Sequence, residues 1–336
     1  MKSAWKLAWL VVVVVATTAE AQTFRGRIVG TVADASGAVV AGARVVVRNV
    51  ATGLVRETET ADDGSYAVSE LPIGSYSVTV EREGFQTAVL TGAEVTVAGE
   101  TRVDATLRPG AVAERVEVTA TVPLVETGMN VLGGSIEAKQ VLDLPINGRD
   151  YTKLLIMVPG ATGEPNAGGD SPGSFGLFSV NGNRGRSNNF LLDGTDMNDG
   201  YRNLPAINQG GVFGTPGTVL PVEAIAEVRI LSNFEPEYVR NSGSVVNIVT
   251  KSGTNETHGS VFEYFRNDKL NARNFFNTVG PKDTFRNHQF GVAVGGPIAK
   301  DKTFWYFTYE GQRERLGVTS VNTVPSAADF ANVQWR

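Results

Sequence analysis

The sequence predicts a mainly β protein with three successive textures: a small N-terminal β-sandwich, an α+β middle region, and the opening strands of a membrane-type β-barrel. Three observations carry this reading. Short β-branched runs recur at close intervals over residues 24–109, with turn signals between them. Over residues 122–253, two helical stretches ended by proline alternate with short apolar strands and glycine-rich loops. From His258 onward the strands lengthen and fill with aromatic residues.

Residues 1–21 stand apart from all three. Lys2 and Lys6 precede an apolar run from Leu7 to Ala16, and Ala19-Glu20-Ala21 follows. This is the pattern of a secretory signal peptide, with cleavage expected before Gln22. The apolar run is too short to span a bilayer, and no cysteine follows to take a lipid. The mature chain is expected to leave the cytoplasm.

The sandwich is read from Arg27–Val32, Ala43–Val47, Ser65–Ser69, Tyr76–Val80, Ala93–Val97 and Arg102–Leu107. Turns are expected at Ala35–Gly37, Ala51–Gly53, Asp62–Gly64 and Leu71–Gly74. That spacing predicts antiparallel strands. Alternation puts Ile28, Val32, Val45, Val47, Tyr66, Val68, Tyr76, Val78 and Val80 inside, with Thr, Ser, Arg and Glu outside.

Residues 110–121 join this region to the next, and apolar and polar residues alternate there through Val116, Glu117, Val118 and Thr119. Such a segment is either an ordinary connecting strand or an extended strand offered to the sheet edge of another protein.

In the middle region, Ser135–Leu144 and Asp150–Met157 are expected as short helices with apolar faces at Ile136, Val141, Leu144, Leu154, Leu155 and Val158. Pro145 and Pro159-Gly160 end them. The stretch Phe178–Asp199 sets two apolar alternations, Phe178/Val180 and Phe190/Leu192, around a polar turn rich in Gly, Asn and Arg. Loops are expected over 160–176 and 194–217. Pro221–Leu231 passes from a helical start into a strand, and Ser242–Lys251 is a second strand.

Chemistry is sparse along the chain. There is no cysteine, only His258 and His288 represent histidine, and the net charge of -5 leaves no basic footprint for nucleic acid. Gly182 and Gly185 lack the spacing of a phosphate-binding loop. Asp193, Asp196, Asn198 and Asp199 lack the ligand spacing of a calcium loop and are expected as turn carboxylates. Arg184, Arg186, Arg229 and Arg240 are expected as solvated groups or as partners of Asp193, Glu227 or Glu235. No catalytic, cofactor-binding or metal-binding residue is assigned.

The last region holds His258–Arg266, Asn287–Gly295 and Thr303–Arg313, each near the roughly 9 to 11 residues of a tilted membrane strand. Phe262, Tyr264, Trp305, Phe307 and Tyr309 are expected toward lipid, with Glu263, Thr308 and Glu310 toward the lumen. Three strands cannot close a barrel, so the chain is expected to be the N-terminal part of a longer protein.

Several of these stretches resemble one family. Val180-Asn-Gly-Asn-Arg-Gly-Arg-Ser-Asn-Asn-Phe-Leu-Leu-Asp-Gly194, Leu142–Leu154, Pro221–Leu231 with Ser242–Lys251, and the turn Gly295–Trp305 are similar to TonB-dependent outer-membrane receptors. Within them the resemblance is to the Oar-like branch with an N-terminal carboxypeptidase-regulatory-like, or prealbumin-like, domain. Residues 24–109 resemble that domain through Asp34, Gly37, Gly42-Ala43, Asn49, Thr52-Gly53, Asp63–Tyr66, Leu71-Pro72, Gly74–Tyr76 and Gly84-Phe85. Ala226 and Leu231-Ser-Asn233 depart from the family pattern.

The resemblance implies a domain order: signal peptide 1–21, regulatory-like sandwich 24–109, linker 110–121, plug 122–253 and barrel start 256–336. It implies that Arg115, Val116, Glu117, Val118, Thr119 and Ala120 form a TonB box that binds TonB, which is driven by an inner-membrane energising complex. The expected role is active uptake of a large solute across the outer membrane, with the N-terminal domain in the periplasm and the barrel in lipid. A secreted or surface β-domain adhesin or scaffold is the competing reading; it explains the sandwich but not Val245–Lys251.

Overall fold

The structure, a computed structural model, describes residues 25–110, 115–119, 133–144, 149, 151–163, 178–198, 203, 220–233, 238, 242–273, 282 and 284–317. The signal segment, Ala120, Asp199 and Arg240 lie outside the described residues, as does most of the two expected loops. Contacts divide the chain into two compact units, one of Met1–His258 with Gly295–Tyr306 and the other of Gly259–Val294 with Phe307–Arg336.

The first unit opens with β1 (Gly26–Asp34), β2 (Arg44–Asn49), β3 (Val55–Glu59), β4 (Ser65–Leu71), β5 (Gly74–Glu81), β6 (Thr87–Val95), β7 (Glu100–Arg102), β8 (Ala105–Leu107) and β9 (Arg115–Thr119). One sheet runs β4-β1-β7 with β8 also on β1, and the other runs β3-β2-β5-β6-β9. All nine residues assigned inward by alternation are buried, and Ile28, Val32, Val45, Val47, Tyr76, Val78 and Val80 are fully so. The wholly antiparallel expectation is corrected: β7 and β8 run parallel to β1, and β9 runs parallel to β6. The physical reason lies in the turn after β6, which carries the chain from one sheet to the other and delivers it alongside the first strand. Gly30 permits the crossing, since a Cβ there would lie 1.9 Å from the carbonyl oxygen of Val103.

The middle region builds a second core. It contains β10 (Gly133–Glu137), α1 (Ala138–Asp143), β11 (Ala161–Gly163), β12 (Phe178–Val180), β13 (Asn189–Leu192), β14 (Thr195–Asp196), β15 (Ile225–Leu231) and β16 (Val245–Thr250). Single 3-10 segments cover Tyr151–Met157, Gly185–Ser187 and Val222–Ala224. The main sheet is β10-β15-β16-β13-β14, with β13 parallel to β16. Ile136, Val141, Leu154, Leu155, Phe190, Val228, Ile230, Val246 and Ile248 share one buried cluster.

Two expectations change here. Ser135–Glu137 is strand rather than helix, because Ser135 and Ile136 pair with Arg229 and Val228 on β15. The side chain of Gln140 then accepts the backbone N–H of Glu137 at 3.1 Å and starts α1 there. The second expected helix is a 3-10 segment. The two alternations in Phe178–Leu192 are strands as expected, but they do not pair: β12 joins β11, and β13 joins β16.

The last three strands, β17 (His258–Asn267), β18 (Phe285–Ala299) and β19 (Thr303–Leu316), form one sheet in that order. Within the second unit, a Cβ on Gly291 would meet the Phe262 ring at 2.5 Å, whereas Phe290 points the other way, toward Gly311 and Tyr309. Phe262 and Tyr264 therefore share the face of Gly291, Thr308 and Glu310. Glu263 lies on the opposite face with Phe307 and Tyr309. The expectation that Phe262 and Tyr264 share a face with Phe307 and Tyr309 is therefore corrected. Aromatic residues occupy both alternation classes of β17, so pattern could not decide; the empty space above Gly291 does.

Candidate functional site

No group of three or more His, Cys, Asp or Glu placed to hold a metal ion occurs among the described residues. Asp193 instead accepts the backbone N–H and the hydroxyl of Thr250, at 2.9 and 2.8 Å, from a left-handed backbone at φ 48°. Asp196 accepts the N–H of Asn198 at 2.8 Å. Asn188 donates to the carbonyl of Phe178 at 2.8 Å and accepts from the Ser244 hydroxyl at 2.8 Å. Asn188 and Asp193 of the polar motif Val180–Gly194 thus tie β12 and β13 to β16 and its approach.

The candidate site is the edge strand β9. Its approach is set by three local contacts: Phe85 bridges Pro109, Gln86 donates to the Arg108 carbonyl at 2.8 Å, and Gly110 donates to the Gly84 carbonyl at 3.2 Å. The chain then re-enters beside β6 with Arg115 opposite Thr87, Val116 opposite Ala88 and Val118 opposite Leu90. β9 stands last in its sheet among the described residues, so its far backbone edge carries no ladder. An open edge of this kind accepts an added strand through main-chain hydrogen bonds. Of the six residues expected to recruit a partner, Arg115 to Thr119 lie in this strand.

β6 leads directly from this edge to the middle region. The turn that follows it is held by two buried charged side chains of β15, Glu227 and Arg229, each 5% exposed. The backbone N–H of Val97 donates to Glu227 Oε2 at 2.9 Å. Arg229 Nη1 donates to the Val97 carbonyl at 2.6 Å and to Thr96 Oγ1 at 3.2 Å. Ala98, at φ 48°, packs against Leu191, Leu231, Tyr238 and Val245. Arg229 is therefore not a solvated arginine: it and Glu227 clasp the backbone of one residue of the sandwich, Val97, on either side of its Cα. The available signal was charge at alternate positions of a strand whose neighbours Val228 and Ile230 are apolar. Arg184 is exposed, as expected.

A second polar contact lies nearby in sequence. Arg149 Nη2 and Glu223 Oε1 are 3.3 Å apart, with side chains only 9% and 11% exposed. Burial pushes the Lys251 ammonium below its ordinary value, and the Glu223 carboxylate partly offsets this. The Tyr306 hydroxyl donates to the Glu223 carbonyl at 2.8 Å.

Comparison with known proteins gives these elements a context. Residues 27–108 match the carboxypeptidase regulatory-like domain, and residues 249–333 match the outer membrane beta barrel domain. The chain is 30% identical over 297 residues to the TonB-dependent transporter Oar of Myxococcus xanthus, covering 83% of this chain and 26% of that protein. It is also 30% identical over 179 residues to the probable TonB-dependent siderophore receptor PirA of Acinetobacter baumannii, covering 51% and 21% respectively. The crystal structure of PirA aligns over 55% of this chain and 24% of its own at 25% identity, with a TM-score of 0.37. The chain spans about a quarter of the length of the curated relatives it matches. A regulatory-like domain precedes the mixed sheet and an outer-membrane barrel domain follows it, and over 83% of its length this chain is similar to a TonB-dependent outer-membrane transporter.

Proposed function

We propose that the protein is a receptor for TonB-dependent active uptake of a large solute, with the region from about residue 122 to 253 acting as the plug that gates the barrel. The observation that carries this reading is β9: an extended strand whose outer backbone edge has no ladder among the described residues, lying in sequence between the regulatory-like domain and the mixed sheet. Residues Arg115 to Ala120 are assigned as the segment that TonB engages. TonB, energised by its inner-membrane complex, adds a strand to that edge and pulls. The work done on the segment is transmitted to the plug, directly through the chain after β9 and through β6 to the Glu227–Arg229 clasp. The role needs no catalytic residue or cofactor. The relatives named as siderophore receptors support a bulky, diffusible ligand that cannot pass an open pore.

The test is the substitution Val118→Pro. Proline deletes one backbone donor and fixes φ, which an added strand cannot tolerate in mid-ladder. The detergent-extracted variant is expected to reach the outer membrane but to lose capture of the periplasmic domain of TonB. Equal capture by wild type and variant would overturn the assignment.

A further inference from the structure

The side of the three long strands that bears Phe307 and Tyr309, the side expected toward lipid, carries a group of charges. On that face Val261, Phe307 and Tyr309 are 84%, 53% and 52% exposed, as an apolar belt must be before lipid covers it. By alternation Arg286 and His288 lie on the same side of β18 as Phe290, and Arg313 and Arg315 on the same side of β19 as Tyr309. Together with Glu263 and Phe290 they line an open concavity of about 560 Å³.

The charges within it do not cancel. Glu263 Oε1 is 3.0 Å from His288 Nδ1, and the Phe265 ring lies 4.7 Å from the imidazole. Among the described residues, Arg286, Arg313 and Arg315 have no carboxylate partner. Three guanidinium groups therefore face one carboxylate, and that carboxylate is already engaged.

Strand direction fixes the depth of this group. A tight turn at residues 300–302 joins β18 to β19, while residues 268–284 separate β17 from β18. Outer-membrane barrels place short turns on the periplasmic side and long loops outside. Arg286 near the start of β18, and Arg313 and Arg315 near the end of β19, thus lie at the external end. The eight steps from Phe307 to Arg315 in β19 cover about 27 Å along the strand, or about 20 Å of depth at the usual tilt. That carries the arginines across the apolar belt to the head-group level of the outer leaflet.

We propose that this concavity binds the phosphate of an outer-leaflet glycolipid head group. Guanidinium groups take phosphate oxygens in paired, charge-assisted hydrogen bonds, and they do so best where water is scarce. The acyl chains of the same lipid would lie along Phe290, Tyr309 and Phe307, the apolar residues directly below. The proposal rests on location in the outer membrane and is independent of the transport reading.

The test uses the membrane-inserted protein extracted in mild detergent, with native mass spectrometry and thermal unfolding as readouts. The probes are diphosphorylated lipid A, lipid A stripped of both phosphates, and inorganic phosphate. Wild type is expected to retain and be stabilised by the diphosphorylated lipid alone. Retention by the triple variant R286Q/R313Q/R315Q is expected to fall about tenfold or more, the loss of one or two hydrogen bonds to charged groups. Equal stabilisation by the stripped lipid overturns the proposal without recourse to any variant, as does equal retention by wild type and variant. A full response to inorganic phosphate makes this a soluble-anion site and overturns the lipid assignment. Capture of TonB by the triple variant is expected to match wild type, which separates this outcome from failure of the transport reading.

Discussion

Tyr76 is fully buried, and its hydroxyl donates to the Pro72 carbonyl at 2.6 Å, closing the turn that opens β5. One side chain thus fills the sandwich core and satisfies a backbone acceptor at its rim. Tyr76→Ala is expected to cost about 3 to 5 kcal/mol, read as a lower urea midpoint; an unchanged midpoint would remove Tyr76 from the core. Its position was legible because period-two alternation in Tyr76-Ser-Val-Thr-Val80 leaves one inward face. The turn beside Asp34 was equally legible, expected at Ala35–Gly37: Asp34 accepts from Ser36 and Ala38 there, and these bonds hold its carboxyl below the usual range. Glu227 and Arg229 were not. Their burial depends on a turn more than a hundred residues away, and the alternating charges of β15 do not by themselves name that partner.

At the scale of elements, sequence succeeded where one face is apolar and failed where pairing decides. β3 was unforeseen because Val55-Arg-Glu-Thr-Glu59 is an exposed polar edge, held by its ladder to β2 and by Arg44 beside Glu57 at 2.8 Å. β10 read as helix because its strand state exists only through β15. β17 offered two aromatic faces, and the choice between them fell to a glycine on the neighbouring strand. The clasp between β15 and the turn after β6 gives the clearest element-level prediction. Arg229→Ala leaves the Val97 carbonyl without its charged donor and is expected to cost about 1.5 to 3 kcal/mol. The amide of Val97 should then exchange faster with solvent water, while amides in β2 and β5 keep their protection. Unchanged exchange at Val97 would show that the turn is held by other contacts.

At the scale of the whole molecule, a regulatory-like sandwich, a mixed sheet and three long strands follow one another along the chain. The resemblance was legible from the motifs in Val180–Gly194 and Ser242–Lys251, of which Asn188 and Asp193 tie neighbouring strands together through their side chains. The state of residues 115–119 was not legible: alternation allowed a connector or an offered strand, and the structure makes the segment an edge strand on the sandwich's own sheet. Its engagement by TonB is the central claim.

The absence of cysteine from the chain permits a direct measurement. A single cysteine is introduced by Val118→Cys in β9 or, as a control, by Val55→Cys in β3, the strand at the opposite edge of the same sheet. Each membrane-inserted variant is then oxidised with a TonB periplasmic domain that carries one cysteine in its edge strand. The account predicts a receptor–TonB disulfide from residue 118 and none from residue 55. Cross-links of equal yield from both positions, or none from residue 118 in receptor that has reached the outer membrane, would contradict it.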